Sequence, residues 1–264
     1  MNEQDGAASK AVNTVSHALG RLGALAGWWA EVGSGKPPSR VDLLWSAAAA
    51  AVPATRVDVR VLPLEPPPAV PDAQAWGTTQ ADAAADAGVE LLLVSVPRHV
   101  SDDPLDVAPE IVAAHTLGMD PINAIGWPAQ SGLDDASWMA AVGGVRDGLR
   151  RLRGLVDQQA ILERLDSPAV AAGTALLVQA AARRTPALLD GIGALSCALL
   201  AEGLTPSAVR WWWPADGDGG QLRDRALDRL GLEPATRLGI RVENGTAARL
   251  GLALLEVATA SGDA

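Results

Sequence analysis

The sequence predicts an α/β fold, a mainly parallel sheet covered by helices on both faces. Strand-length apolar runs and helix-length amphipathic stretches alternate from Thr78 onward. Strands separated by helices require parallel crossovers, which cover both faces of a sheet. The chain of 264 residues is 48% hydrophobic and 20% charged, enough for one large core, and disorder is not expected.

The first helix is marked by Val12, Val15, Leu19, Leu22, Ala26 and Trp29, which recur at helical spacing and stop at Gly33-Ser34-Gly35 before Pro37-Pro38. Strands are predicted at Val41 to Trp45 and Val57 to Leu62. Pro63 and Pro66 to Pro68, with Pro71, predict a stiff surface linker. A helix over Thr79 to Ala87, a buried strand over Glu90 to Val96 and a helix over Pro104 to Leu117 follow. Ile122 to Gly126 is predicted as a short strand, and Asp134 to Arg153 as a long helix with basic residues in its last turn, where they suit the macrodipole. Helices over Asp157 to Leu165 and Pro168 to Arg184 precede a strand at Ala187 to Asp190. The rest predicts a helix over Gly193 to Glu202, a strand over Val209 to Trp213, and helices over Gly219 to Leu230 and Thr246 to Thr259.

Charge and composition exclude several classes of function. A net charge of −10 argues against nucleic acid, which is held by clustered Lys and Arg. No apolar run reaches the roughly 18 residues of a membrane span, so no membrane association is expected. Met1 to Lys10 lacks the basic and apolar regions of a signal peptide, and a cytoplasmic protein is expected. Cys197 is the single cysteine, so neither an intramolecular disulfide nor a cysteine-based zinc cluster can form. Nine Trp stand beside no Phe and no Tyr, an absence without a physical account.

Several local patterns are better explained structurally. Gly33 to Ser39 fails as a phosphate loop: Ala30 stands where the first Gly belongs, Pro37 replaces the magnesium-binding hydroxyl, and the run follows a helix. His17, His99 and His115 are too scattered for a metal site, and no metal or organic cofactor is expected. Ser196 and Cys197 have no nucleophile elbow and no base in sequence reach, so packing is their expected role. Asp216-Gly217-Asp218-Gly219-Gly220 lies between a strand and a helix, where open sheets bind ligands, or it is simply a turn with a cap.

The last third carries a more specific pattern. Arg184-Thr185-Pro186-Ala187-Leu188-Leu189-Asp190-Gly191 is similar to R-x-P-V-L-L-D-G of the nicotinate-nucleotide:5,6-dimethylbenzimidazole phosphoribosyltransferase family. Leu227 to Pro234 resembles its A-L-x-x-L-G-L-E-P. Leu238 to Arg241, leading into Glu243-Asn244-Gly245-Thr246-Ala247-Ala248, resembles its L-G-x-R-L-G-E-G-T-G-A-A. Leu19 to Leu22, and Gly132 to Asp135 with Val145 to Asp147, are fainter echoes. The resemblance implies a three-layer α/β/α fold in one domain over 1–264. It also implies a small helical subdomain from both chain ends (about 10–33 and 246–260) beside an α/β body (about 41–245), and a homodimer. The implied reaction joins nicotinate mononucleotide and dimethylbenzimidazole into α-ribazole 5′-phosphate for cobalamin, without a cofactor, with a glutamate as general base.

Departures from the family pattern bear on that chemistry. Asn244 falls where the family's catalytic Glu stands, and an amide is no base at neutral pH. Glu243, one residue earlier, is the candidate substitute base. Asp190, Gly191, Asp216, Asp218, Gly245 and Thr246 fall at the implied substrate-binding positions. Asp216 and Asp218 stand where the family's S-H-R-S-A-E-P segment lies near the phosphate, which two carboxylates would repel. The family's early-helix lysine falls near Ala141, and its G-D-x-G-x-G-N-T-T run on Val96 to Asp103. Two readings follow: a divergent phosphoribosyltransferase with lost or strongly reduced catalysis, or a non-catalytic paralogue. The second would bind an aromatic base or nucleotide, or pair with a full-length homologue as a heterodimer, and regulate cobamide assembly.

Overall fold

A computed structural model describes residues 20–44, 57–63, 65–96, 106–217 and 219–260. Five strands, β1 (Val41–Leu44), β2 (Val59–Leu62), β3 (Leu91–Ser95), β4 (Ala187–Asp190) and β5 (Trp212–Pro214), form one parallel sheet in the order β2-β1-β3-β4-β5. The helices are α1 (Arg21–Val32), α2 (Val70–Asp86), α3 (Ala108–Leu117), α4 (Pro121–Ile125), α5 (Pro128–Ser131), α6 (Asp135–Leu152), α7 (Gln158–Leu165), α8 (Pro168–Ala182), α9 (Gly191–Leu204), α10 (Gln221–Leu230) and α11 (Thr246–Ala260).

Period-two alternation sorts the strand side chains into two cores. Val41, Leu43, Leu91, Leu93 and Leu188 face one layer, where they bury Leu25 and Trp29 of α1 and Leu252 and Leu255 of α11. The first and last described helices pack on each other there. Leu44, Leu92, Val94, Ala187 and Leu189 face the thicker layer, which contains α2, α3, α8 and α9. The fold is therefore three-layer α/β/α with a parallel sheet, as the sequence predicts.

Three local expectations are corrected. Ile122 to Gly126 is not a strand: Ile122 to Ile125 lie in α4, and Gly126 caps its end. The Asp120 carboxylate accepts from the Asn123 amide at 3.0 Å, and Pro121 opens the helix where its missing N–H is no loss. That start signal outweighs the strand preference of Ile122 and Ile125. Pro71 belongs to the first turn of α2, so this helix starts at Val70 and not at Thr79. Pro206–Trp211 is a 3-10 helix, which delays the last strand to Trp212 and extends it to Pro214. The predicted first-helix residues Val12 to Leu19, with His17, Trp45 and Pro97 to Asp103, lie outside the described residues.

Among the described residues no helix is long and apolar enough to cross a membrane.

Candidate functional site

The loops that leave the carboxyl ends of β4 and β5 form the candidate site, the position where open parallel sheets bind ligands. Asp190 ends β4, and α9 starts immediately at Gly191. The Asp190 side chain is 1% exposed, and its Oδ2 accepts from the Gly245 amide at 2.7 Å. Burial pushes its carboxyl up to about 6. The Gly245 amide, the Arg223 charge and Ser95 pull in the opposite direction, and Asp216 adds to the rise.

Glu243 returns the contact from the other side. Its Oε1 accepts from the Ile192 amide at 2.7 Å and from Arg223 Nη2 at 3.2 Å. Arg223 Nη1 also donates to the Ile240 carbonyl at 2.9 Å. Both ion-pair partners are buried, with side-chain exposures of 7% for Arg223 and 4% for Glu243. Gly191 makes this approach possible: its φ is +78°, and a Cβ there would lie 2.4 Å from Glu243 Cγ. Gly245 is constrained likewise, with φ +80° and a would-be Cβ 2.8 Å from Leu43 Cδ2.

Asn244 points elsewhere. Its Oδ1 accepts from the Thr246 amide at 3.1 Å and from the Thr246 hydroxyl at 2.5 Å, an Asx turn that starts α11. Residues 243 and 244 thus diverge, one to α9 and Arg223, the other to the α11 start. The sequence places Asn244 at the implied general-base position and Glu243 one residue before it, and the structure gives the amide or carboxylate oxygen of each an internal partner.

Asp216 is buried, with both oxygens turned into the loop that follows α10. Oδ1 accepts from the Thr236 hydroxyl at 2.6 Å and the Leu238 amide at 2.7 Å, and Oδ2 from the Ile240 amide at 2.8 Å. Three donors on one carboxylate fix the loop and offset its charge. Asp218 lies outside the described residues.

Beside these residues lies a cavity of about 410 Å³ lined by, among others, Glu110, Asn123, Trp127, Ile192, Arg223 and Arg241. The α10 N-terminus, Gly219 to Leu222, completes one wall. Trp127 is 59% exposed and offers an aromatic face at the lining. The positive charge here comes from Arg223 and Arg241. Sequence reasoning missed Arg223, although a signal was present. Arg223, Ala226, Leu227 and Leu230 follow helical spacing, so an arginine sits on the apolar stripe of α10 and is buried with it. Trp127 was hidden by the mistaken strand assignment before it. Trp211, Trp212 and Trp213 do not line this cavity; Trp213 packs on Trp28 with ring centroids 5.6 Å apart.

The remaining candidates are structural. Ser196 Oγ donates to the Gly193 carbonyl at 2.8 Å, and burial pushes the Cys197 thiol up to about 12. His115 Nε2 lies 2.9 Å from the Leu155 carbonyl. Among the described residues no group of three His, Cys, Asp or Glu is placed to hold a metal ion.

Comparison with known proteins adds to this geometry. The DBI_PRT phosphoribosyltransferase family matches residues 69–263. A nicotinate-nucleotide–dimethylbenzimidazole phosphoribosyltransferase of Streptomyces avermitilis is 36% identical over 185 residues, 70% of this chain and 48% of that protein. One from Mycobacterium marinum is 37% identical over 188 residues, 71% of this chain and 51% of that protein. The match therefore spans about half the length of these curated relatives. The solved structure of CobT from Thermus thermophilus superposes with a TM-score of 0.73 at 17% identity. It covers 93% of this chain and 91% of its own, a likeness of fold.

Proposed function

The chain belongs to the DBI_PRT phosphoribosyltransferase family, and from that premise we propose that it is a divergent member in which transfer is lost or strongly reduced. The reaction in question is attack of a dimethylbenzimidazole ring nitrogen on the ribose C1′ of nicotinate mononucleotide. The bond to nicotinate breaks, and the azole N–H proton must leave to a base. One observation carries the reading: the side chains at and beside the base position are both engaged inside the protein. Asn244 Oδ1 is held by Thr246, and Glu243 Oε1 by Ile192 and Arg223. Asn244 is in any case no proton acceptor at neutral pH. Loss of a general base costs about 10²–10⁴-fold in rate. Incubating the purified protein with both substrates, and measuring α-ribazole phosphate by mass-resolved chromatography, tests this. A rate near that of intact relatives would end the proposal.

A second reading, binding without turnover, is favoured by the cavity. About 410 Å³ with Trp127, Arg223 and Arg241 in its lining suits a small aromatic or anionic molecule. Such a protein would act as a sensor, as a homodimer, or as the heterodimer partner of a full-length homologue. Calorimetric titration with nucleotide and base separately, and light scattering with and without the homologue, measure those two properties. Saturable binding of either molecule without product supports this reading, and heat-silent titrations with both exclude the sensor role.

A further inference from the structure

The Glu243 carboxylate is bonded to Ile192 and Arg223, and both of these residues are part of the cavity wall. We propose that Glu243 is a built-in competitor for anions, so that a phosphate or carboxylate group entering the cavity gains the Arg223 guanidinium and the Ile192 amide only by displacing it.

The seat has three parts, each chemically suited to an anion. Ile192 contributes an amide from the first turn of α9, a helix of 14 residues, where the N–H groups have no partner within the helix. Arg223 contributes a guanidinium on a buried side chain that also donates to the Ile240 carbonyl, so its charge is held in place. Gly191, with no side chain, clears the space between them, and any Cβ there would collide with the Glu243 carboxylate. A buried cation beside helix amides attracts an anion strongly, because little water is present to compete. In this chain the anion is supplied internally. The carboxylate reaches from 243, between Ile240 and the α11 start at Thr246, so its displacement would release position 243 while Ile240 stays bonded to Arg223 and Asp216, and Gly245 to Asp190.

The inference deepens the reading of the cavity as a ligand site without depending on whether catalysis survives. Wild-type protein, Glu243→Ala and Glu243→Gln are melted and titrated with inorganic phosphate or with nicotinate, against sodium chloride at equal ionic strength. Wild type is expected to respond to neither anion beyond chloride. Glu243→Ala leaves a buried cation uncompensated, so it should melt lower, and either anion should restore it. At roughly a hundredfold excess over Kd the rise should be on the order of 5 °C. Phosphate rescue alone identifies an oxyanion seat, nicotinate rescue alone a carboxylate seat, and either supports the proposal. Rescue should vanish when Arg223→Met is added. If Glu243→Ala does not fold, Glu243→Gln decides, with an expected gain in anion affinity of about tenfold or more. Two results overturn the proposal: wild type binding an anion as tightly as the variants, or a folded variant ignoring both. In the first case the cavity stands as a ligand site without a competitor. In the second the anion site falls while the transferase assay is unaffected.

Discussion

Asp190 and Gly245, 55 positions apart, are joined by a hydrogen bond of 2.7 Å from the Gly245 amide to the buried Asp190 carboxylate. Two residues on either side, the Ile192 amide donates back to Glu243 at 2.7 Å. The end of β4 and the entry to α11 are thus tied by two bonds running in opposite directions. One of the two acceptors, Asp190, carries a raised pKa.

The first prediction concerns pH. Burial raises the Asp190 pKa from 3.8 to about 6, so the folded state binds its proton more tightly than the unfolded chain does. The associated stability is fully present below the unfolded value of 3.8 and is lost as pH rises through about 6. A difference of about 2 units corresponds to roughly 3 kcal/mol at most. Asp190→Asn lacks this titration. Its stability relative to wild type should therefore be greater at pH 7 than at pH 4, read as a larger unfolding free energy from denaturant unfolding at both. An identical difference at the two values contradicts the assignment.

The second prediction concerns Gly191. A left-handed φ of +78° strains any residue with a Cβ, and here that Cβ also meets Glu243. Gly191→Ala should lose about 1–3 kcal/mol and loosen the 243–245 loop. Amide exchange at Ile192 and Gly245 should accelerate in the variant. Unchanged stability and exchange would show that the loop relaxes freely.

Much of the fold was legible in the sequence, for physical reasons that also explain the errors. Ala187–Asp190 is a buried parallel strand and was found at its true limits, because a short apolar run between Pro186 and Gly191 has few alternatives. The starts of α6 and α7 were equally plain, since Asp134 and Asp157 cap them through Ser137 and Ala160. α4 was missed because five residues are too few for a helical period to show, and its cap at Asp120 was the better clue. Within the site, motif positions such as Asp190, Glu243, Asn244 and Gly245 came together, but their partners did not follow from sequence. Asp216 illustrates why: a carboxylate beside glycines suggested an exposed ligand or a repelling charge, whereas its three donors come from Thr236, Leu238 and Ile240. Those contacts depend on how the loop after α10 returns to the sheet, and no local pattern records that.

A third prediction concerns Asn244. Its side chain starts α11 through Thr246, so Asn244→Glu replaces a turn-forming amide with a longer acid. Loss of such a cap costs about 1 kcal/mol. The new carboxylate would also stand next to Glu243. Restoring the acid should therefore recover little or no α-ribazole phosphate formation, measured against an intact relative under the same conditions. Recovery to within about tenfold of that relative would mean that base loss alone had silenced the site. If wild type does turn over and Glu243→Gln abolishes it, the base has moved by one residue and the non-catalytic reading fails.

The last prediction separates the ion pair from its surroundings. Arg223 and Glu243 are both buried, and their charges meet at 3.2 Å. Taking two ions out of water costs about as much as their attraction returns, so the pair need not add net stability. Removing one partner is different, because the other is left charged and buried. Arg223→Met alone should therefore destabilise by about 3–5 kcal/mol. Adding Glu243→Leu should recover most of that loss, since two apolar side chains of similar volume then fill the space. The coupling is the non-additive part of a double-mutant cycle that also includes Glu243→Leu alone, and it should be at least as large as this recovery. Ile192 sets the limit on full recovery: its amide loses the Glu243 acceptor in the double variant and must find water from the cavity, whose wall it already forms. Additive losses in the two single variants would show that Arg223 is held mainly by the Ile240 carbonyl and the α10 packing, and that Glu243 contributes to the site through the Ile192 amide alone.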